Sequence, residues 1–320
     1  MGYAVSVKLS TTWRTALPAK CAIERVEAYI GFDSAWADNP RAPGAITAIV
    51  RRGTDAIDFH APIAATFDGA LEFIERVGRG ADYLLVGLDQ PTIVSNFDGC
   101  RPVERVAASL VSKLGGGVQP ARRNGGGARM FGDGAPVWSF LARLKARQNP
   151  FEARDRWAGR FLVEVFPALA LPTFVPAIWS RKAAAKYNPT NKKKLRLDDW
   201  SLVASTLAEV AAGAQLQQLG LWFGTQAVVG APVKTQQDCL DAAICLLIAY
   251  SWRNEPVAKN LLIGDGASGY MITPVSPEIR ALLTQSAVLR DVPVDRPWVG
   301  DATADNNIPG CATGLITGAI

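Results

Sequence analysis

Between residues 25 and 63 the apolar positions fall in three short runs, each bounded by polar or turn-forming residues. RVEAYIGFDSAW, AITAIVRR and AIDFHAPI have the length and β-branched or aromatic content of strands, and Gly53 between the last two predicts a hairpin. Three strands on short links imply an antiparallel meander. From Phe67 to Val77 the period changes: Leu71, Ile74 and Val77 recur at helical spacing. The apolar run YLLVGLDQP follows, and a strand, a helix and a further strand imply parallel pairing across the crossover.

Further along, RPVERVAASLVSKLG reads as a helix stopped by Gly115, and GGGVQPARRNGGGARMFGDGAP as an exposed, glycine-rich loop. A strand, RFLVEVFPAL, begins near Arg160. It precedes two helices, one at DDWSLVASTLAEVAAGAQ with Asp198 or Asp199 as its cap and one at TQQDCLDAAICLLIAYSW. The pattern therefore predicts an N-terminal extension over 1–24 and one α/β domain over 25–275, with an inserted helix and loop at about 92–158. A C-terminal helix and tail would occupy 276–320, the last stretch (PWVGDATADNNIPGCATGLITGAI) being loosely ordered.

Composition agrees with a globular chain: 320 residues, 49% hydrophobic and 20% charged, are enough to bury an α/β core. No run approaches the roughly eighteen apolar residues of a membrane span, and the N-terminus lacks the compact apolar stretch of a signal peptide. The expectation is a cytoplasmic protein without a membrane partner. Five cysteines (Cys21, Cys100, Cys239, Cys245, Cys311) form no CxxC pair, which argues against a disulfide framework or a zinc site. His60, the one histidine, has no GxSxG elbow to accompany it, so nucleophilic hydrolase chemistry is disfavoured and a half-buried strand histidine is expected. Gly264, Gly266 and Gly269 satisfy GxGxxG, but YMITPVSP puts two prolines where a dinucleotide fold needs a helix. There is no GxxxxGK[ST] phosphate loop either.

Acidic residues are what remain. Asp33 in YIGFDSAW, Asp89 in LLVGLDQP and Glu164 in FLVEVFP stand at or near the ends of apolar strands, where burying a charge is costly. Asp238 and Asp241 are three apart in TQQDCLDAAICLLIAY, a spacing that puts both carboxylates on one face of a helix. Taken singly, each has an ordinary reading as a helix cap, a surface charge or, for Asp238, a first-turn residue favoured by the helix dipole. Crowded together, they would repel unless a cation lay between them, and hard oxygen ligands of this kind select Mg²⁺ or Mn²⁺.

Asp33 on the first strand, Asp89 on the fourth and the DxxDAA run on the last helix resemble the acidic set of RNase H-like nucleases, most nearly the RuvC-type Holliday-junction resolvases. GFDSAW, GLDQP, CRPVERVAASLVSKLG, VEVFPALAL, KYNPTNKKKLRLDDW, QQDCLDAAICLLIAY and DGASGYMITP are similar to segments of a family of predicted RNase H-fold nucleases of unknown function. The resemblance covers most of residues 28–275. It implies an α/β fold of the RNase H-like class: a mixed five-stranded sheet flanked by helices, its first three strands antiparallel and the first central beside the fourth.

It also implies a metal-dependent nuclease acting on DNA or RNA, with two Mg²⁺ or Mn²⁺ ions bridged by Asp33. Asp89 and Asp241 would each complete one coordination shell, and Asp238 would assist. The fourth-strand acid is an aspartate where the resolvases carry glutamate, and Glu164, which has no counterpart in the minimal set, is either an extra ligand or an orienting group. Arg122, Arg123, Lys186, Lys192, Lys193 and Lys194 are candidate phosphate contacts, with solvated charge as the alternative; the net charge of +5 and pI near 9.0 add little to either. Trp36, Trp200 and Trp222 are expected in the core or at hinges rather than as stacking platforms. Two other functions stay open: an actin-like or sugar-kinase-like ATPase, though Asp33 is followed by Ser34, Ala35 and the bulky Trp36 instead of a phosphate-cradling turn, and a non-catalytic nucleic-acid-binding module.

Overall fold

Three N-terminal strands, β1 (Val26–Asp33), β2 (Gly44–Arg52) and β3 (Ala56–Ala65), form the antiparallel meander. The computed structural model describes residues 25–53 and 56–298; the extension over 1–24, the tail from 299 onward, Cys21 and Cys311 lie outside the described residues. Helix α1 (Phe67–Val77) has the extent its periodicity predicts, and the Thr66 side chain caps it by accepting from the Gly69 amide at 3.3 Å. It leads to β4 (Tyr83–Asp89), which pairs parallel with β1.

The chain then runs through α2 (Pro102–Val111), α3 (Ala128–Phe131), α4 (Pro136–Leu144) and α5 (Pro150–Asp155) to β5 (Gly159–Glu164), parallel to β4. The sheet order is β3-β2-β1-β4-β5, with β1 in the middle. After it come α6 (Pro167–Phe174), α7 (Pro176–Ser180), α8 (Leu197–Gly213), α9 (Gln217–Ala227) and α10 (Lys234–Asn254). A two-stranded antiparallel hairpin, β6 (Asn260–Asp265) and β7 (Gly269–Pro274), and α11 (Pro277–Val288) complete the described chain. The glycines of the GxGxxG match lie in this hairpin, so no helix starts there.

Strand alternation divides the core by sheet face. Ala28, Ile30, Phe32, Val86 and Leu88 pack against α1 and α4. Tyr29, Ile49, Leu85, Phe161 and Val163 face a larger core built from α2, α6, α8, α10 and α11. Asp33 shares its face with Tyr29, and Asp89 with Leu85, so both carboxylates lie on the α10 side. Most of α10 is buried around its whole circumference, as expected for a helix enclosed by sheet and helices.

Its closeness to the sheet depends on two glycines that are register partners, Gly31 and Gly87. A Cβ on Gly31 would come within 2.1 Å of the Ala242 carbonyl oxygen and 2.3 Å of the Leu246 nitrogen, and one on Gly87 within 2.8 Å of the Cys245 carbonyl oxygen. Backbone therefore rests almost directly on backbone.

Four local expectations are corrected. Helix α2 ends at Val111, and turns carry the chain on to Gly115, which takes the left-handed conformation (φ 77°). The glycine-rich stretch is anchored rather than exposed throughout: Ala121 and Phe131 are buried with Val94, and the Phe131 ring packs edge-on to Trp36 with centroids 5.5 Å apart. RFLVEVFPAL is strand only as far as Glu164, because Pro167 opens α6. Arg196 is the N-cap of α8; Asp198 and Asp199 sit in its first turn, and Asp199 instead accepts from Arg181 Nη1 at 2.7 Å and the Lys186 amide at 2.6 Å.

His60 is half-buried on β3 with its ring edge-on to Phe73. Trp200 is fully buried and Trp222 packs on Phe59, while Trp36 donates from Nε1 to the Asp89 carbonyl at 2.9 Å. Cys100, Cys239 and Cys245 are free thiols. Among the described residues no helix is long and apolar enough to cross a membrane.

Candidate active site

The C-terminal ends of β1 and β4 are in register, so Asp33 and Asp89 stand side by side. Helix α10 crosses above them, and its first two turns bring Asp238 and Asp241 to the same recess. Both helical acids are buried, whereas Asp33 and Asp89 lie deep and keep part of their surface open. Burial and then the charges of Asp241, Asp89 and Asp238 push the Asp33 carboxyl well above the usual carboxylate range; Lys234 opposes this only in part. Asp89 moves the same way through burial, Asp241 and Glu164.

Asp241 is pushed up to about 6 by burial and, to a lesser extent, by Asp238; the Tyr187 hydroxyl, Lys234 and the Gln237 amide pull it back. Tyr187 donates to its Oδ1 at 2.7 Å and Gln237 Nε2 to its Oδ2 at 2.9 Å. Asp238 is ion-paired with Lys234 one turn earlier on α10. Although burial alone would lower the Lys234 ammonium, its bond to Asp238 and the nearby acids raise it overall.

The structure thus brings together Asp33, Asp89, Asp238 and Asp241. Glu164 stands apart from these four: its charge is felt at Asp89, but its carboxylate is engaged by other groups. Arg101 Nη1 donates to Oε2 at 3.0 Å, Nη2 to Oε1 at 2.6 Å, and the Thr92 amide to Oε2 at 3.0 Å. Arg101 Nε also holds Glu104 Oε1 at 2.8 Å, and both Glu104 oxygens receive the Ala121 amide, at 3.1 and 3.2 Å. Arg101, Glu104 and Glu164 are all buried, so this network is a structural clamp tying the end of β5 to α2 and the glycine-rich stretch.

The basic candidates are dispersed. Arg123 is ion-paired with Asp133 and lies over the Phe97 ring, and Arg122 packs against the turn at Gly125 and Gly127. Lys186 Nζ donates to the Gly115 carbonyl at 3.0 Å, while Lys192, Lys193 and Lys194 are exposed. Sequence patterning did not single out Tyr187, Gln237, Lys234 or Arg101, which hold the acids in place.

Among the described residues, no three His, Cys, Asp or Glu side chains are already disposed around one point as metal ligands. In kind, however, the donor set fits a hard divalent cation: four carboxylates share one recess, two of them partly open to solvent, and their repulsion is only partly offset by Lys234. Lys234, Tyr187 and Gln237 are the groups a bound cation would compete with.

Over residues 31–261 the chain matches the family described as protein of unknown function DUF429, and it belongs to that family. The matched span begins just before Asp33 and includes all four acids of the recess. No curated protein and no solved structure matches the chain.

Proposed function

We propose that this protein is a metal-dependent nuclease of RNase H-like fold, hydrolysing nucleic-acid phosphodiesters with two Mg²⁺ or Mn²⁺ ions. The observation that carries this reading is the pairing of Asp33 with Asp89 on adjacent parallel strands beneath Asp238 and Asp241, in a recess where their charges repel. A central first strand, an antiparallel meander on one side and two parallel strands on the other support the fold assignment. When bound, the ions would supply Lewis acidity at the phosphodiester.

The chain's own residues have distinct tasks. Asp33, Asp89 and Asp241 would hold the ions, and Asp238 would contribute once released from Lys234. Tyr187 and Gln237 orient the Asp241 carboxylate by donating to both its oxygens. Exposed Lys192, Lys193 and Lys194 would contact backbone phosphates.

The test is cleavage of single-stranded, duplex and branched DNA and RNA in Mn²⁺ or Mg²⁺ by wild type and Asp33→Asn. Wild type should cut at least one substrate, and the variant, with unchanged circular dichroism, should fall to background. Wild-type turnover in the variant would move the chemistry elsewhere. ATP hydrolysis without nucleic-acid cleavage would replace this reading with the ATPase.

A further inference from the structure

A cavity of about 410 Å³ opens beside the acidic recess, between the end of α2, helix α6, residues 184–194 and α10. That volume lies within the range of small-molecule sites, roughly 300–1,000 Å³. Leu114, Leu171, Pro172 and Ile178 make much of its wall apolar, while Lys186 and Lys194 bring cationic side chains to it. Tyr187 and Gln237 also line it, and these are the two residues that donate to Asp241. Cavity and recess therefore share a wall.

Gln237 carries the inference furthest. Its side chain is more than nine-tenths buried, at 8% exposure. Since Asp241 accepts from it and an ionised carboxylate cannot donate, the amide nitrogen must face Asp241. The amide oxygen is then left without a partner and closed off from solvent beneath the wall that cavity and recess share, which is unfavourable until the side chain shifts to meet a donor. A ligand suited to this place has a largely apolar body, an N–H donor on its edge and an anionic group for the lysines.

We propose that the cavity receives one nucleotide, its base between the apolar walls, where a small shift of Gln237 lets Oε1 accept from an edge N–H, and its phosphate near Lys186 and Lys194. The choice of a nucleotide among such anions rests on the nuclease reading. Tyr187 and Gln237 then act in two directions, orienting Asp241 on one side and facing the base on the other. Occupancy would be sensed directly at Asp241.

The experiment measures binding of nucleoside 5′-monophosphates and of ribose 5-phosphate to the full chain by calorimetry, without divalent metal. The nucleotides should bind about tenfold or more tighter than the sugar phosphate, the margin expected from seating one base. Ala185→Trp, which puts an indole into the cavity wall, should abolish nucleotide binding while Mn²⁺ affinity, read by electron paramagnetic resonance, is unchanged. Equal binding of nucleotide and sugar phosphate would overturn the proposal, as would wild-type nucleotide affinity in folded Ala185→Trp. If that variant does not fold, the wild-type ranking decides alone. Because binding is read without turnover, a protein that ranks ligands as expected but cleaves nothing retains the cavity and loses the nuclease; one that cleaves without this ranking does the reverse.

Discussion

Two groups of buried carboxylates lie at the same end of the sheet, on neighbouring strands; burial raises the strand-end carboxyls of both, but they are given different partners. At the end of β5, Glu164 meets the two-pronged Arg101 guanidinium, which also takes Glu104, and backbone amides supply further donors. At the ends of β1 and β4, Asp33 and Asp89 meet two more acids, with Lys234 offsetting the charge only in part. A buried carboxylate held by a guanidinium and backbone amides serves the fold: burial still leaves the Glu164 carboxyl raised, but Arg101 and the Thr92 amide oppose that shift directly. One left among like charges costs stability until something cationic binds, which is why the recess and not the clamp is the candidate site.

The largest effect should come from breaking the clamp. Arg101→Met leaves Glu104 and Glu164 buried without their cation and should cost about 3–5 kcal/mol in urea unfolding. A loss under about 1 kcal/mol would remove the distinction between the two groups.

Next comes pH, where the recess should show its strain. Below the ordinary value of 3.8, Asp241 is protonated in both the folded and the unfolded chain; between there and about 6 the folded carboxyl keeps a proton that the unfolded one has released. The stability linked to that proton is thus present at low pH and lost as pH rises through about 6, and Asp33 and Asp89 shift in the same direction. Metal-free protein should be less stable near pH 7.5 than near pH 5, by about 1 kcal/mol from Asp241 alone, and should melt at a lower temperature there. Mn²⁺ should raise the melting temperature more at the higher pH, where fewer protons compete for the same oxygens. Asp241→Asn should lose most of that shift and Asp238→Asn a smaller part; equal shifts in all three proteins would take α10 out of the site.

The smallest effect concerns the exposed lysines. Replacing Lys192, Lys193 and Lys194 with alanine should flatten the dependence of log affinity for nucleic acid on log salt by about one unit per lost phosphate contact. An unchanged slope in a filter-binding titration would assign them to solubility.

What could be read from the sequence was what broke a pattern. Apolar runs of strand length gave away β1 to β4, and the change to helical spacing gave α1 its full extent. Aspartates closing buried strands stood out because a charge there is anomalous, and the Asp238–Asp241 spacing survives on any helix. The sequence hid what is locally unremarkable. Helix α6 continues the apolar run of β5, so only Pro167 marks the change, and α9 has too little amphipathic contrast to announce itself. Tyr187 and Gln237 are neutral polar residues in polar segments, and nothing local says that they converge on Asp241. Glu164 was readable as an anomaly but not as a solved one, since Arg101 lies 63 residues away in the chain.

Gly31 and Gly87 let α10 rest on the sheet two residues before Asp33 and Asp89, so the gap spanned by the four carboxylates is set by two absent methyl groups. If the recess holds the cations proposed for it, that gap would act as a size gauge. Oxygen ligands close at about 2.0–2.1 Å around Mg²⁺ but about 2.3–2.6 Å around Ca²⁺, a difference smaller than the displacement one Cβ would impose on the helix. Discrimination between ions by radius would then reside in the backbone, and side-chain substitutions that keep every carboxylate would leave it intact.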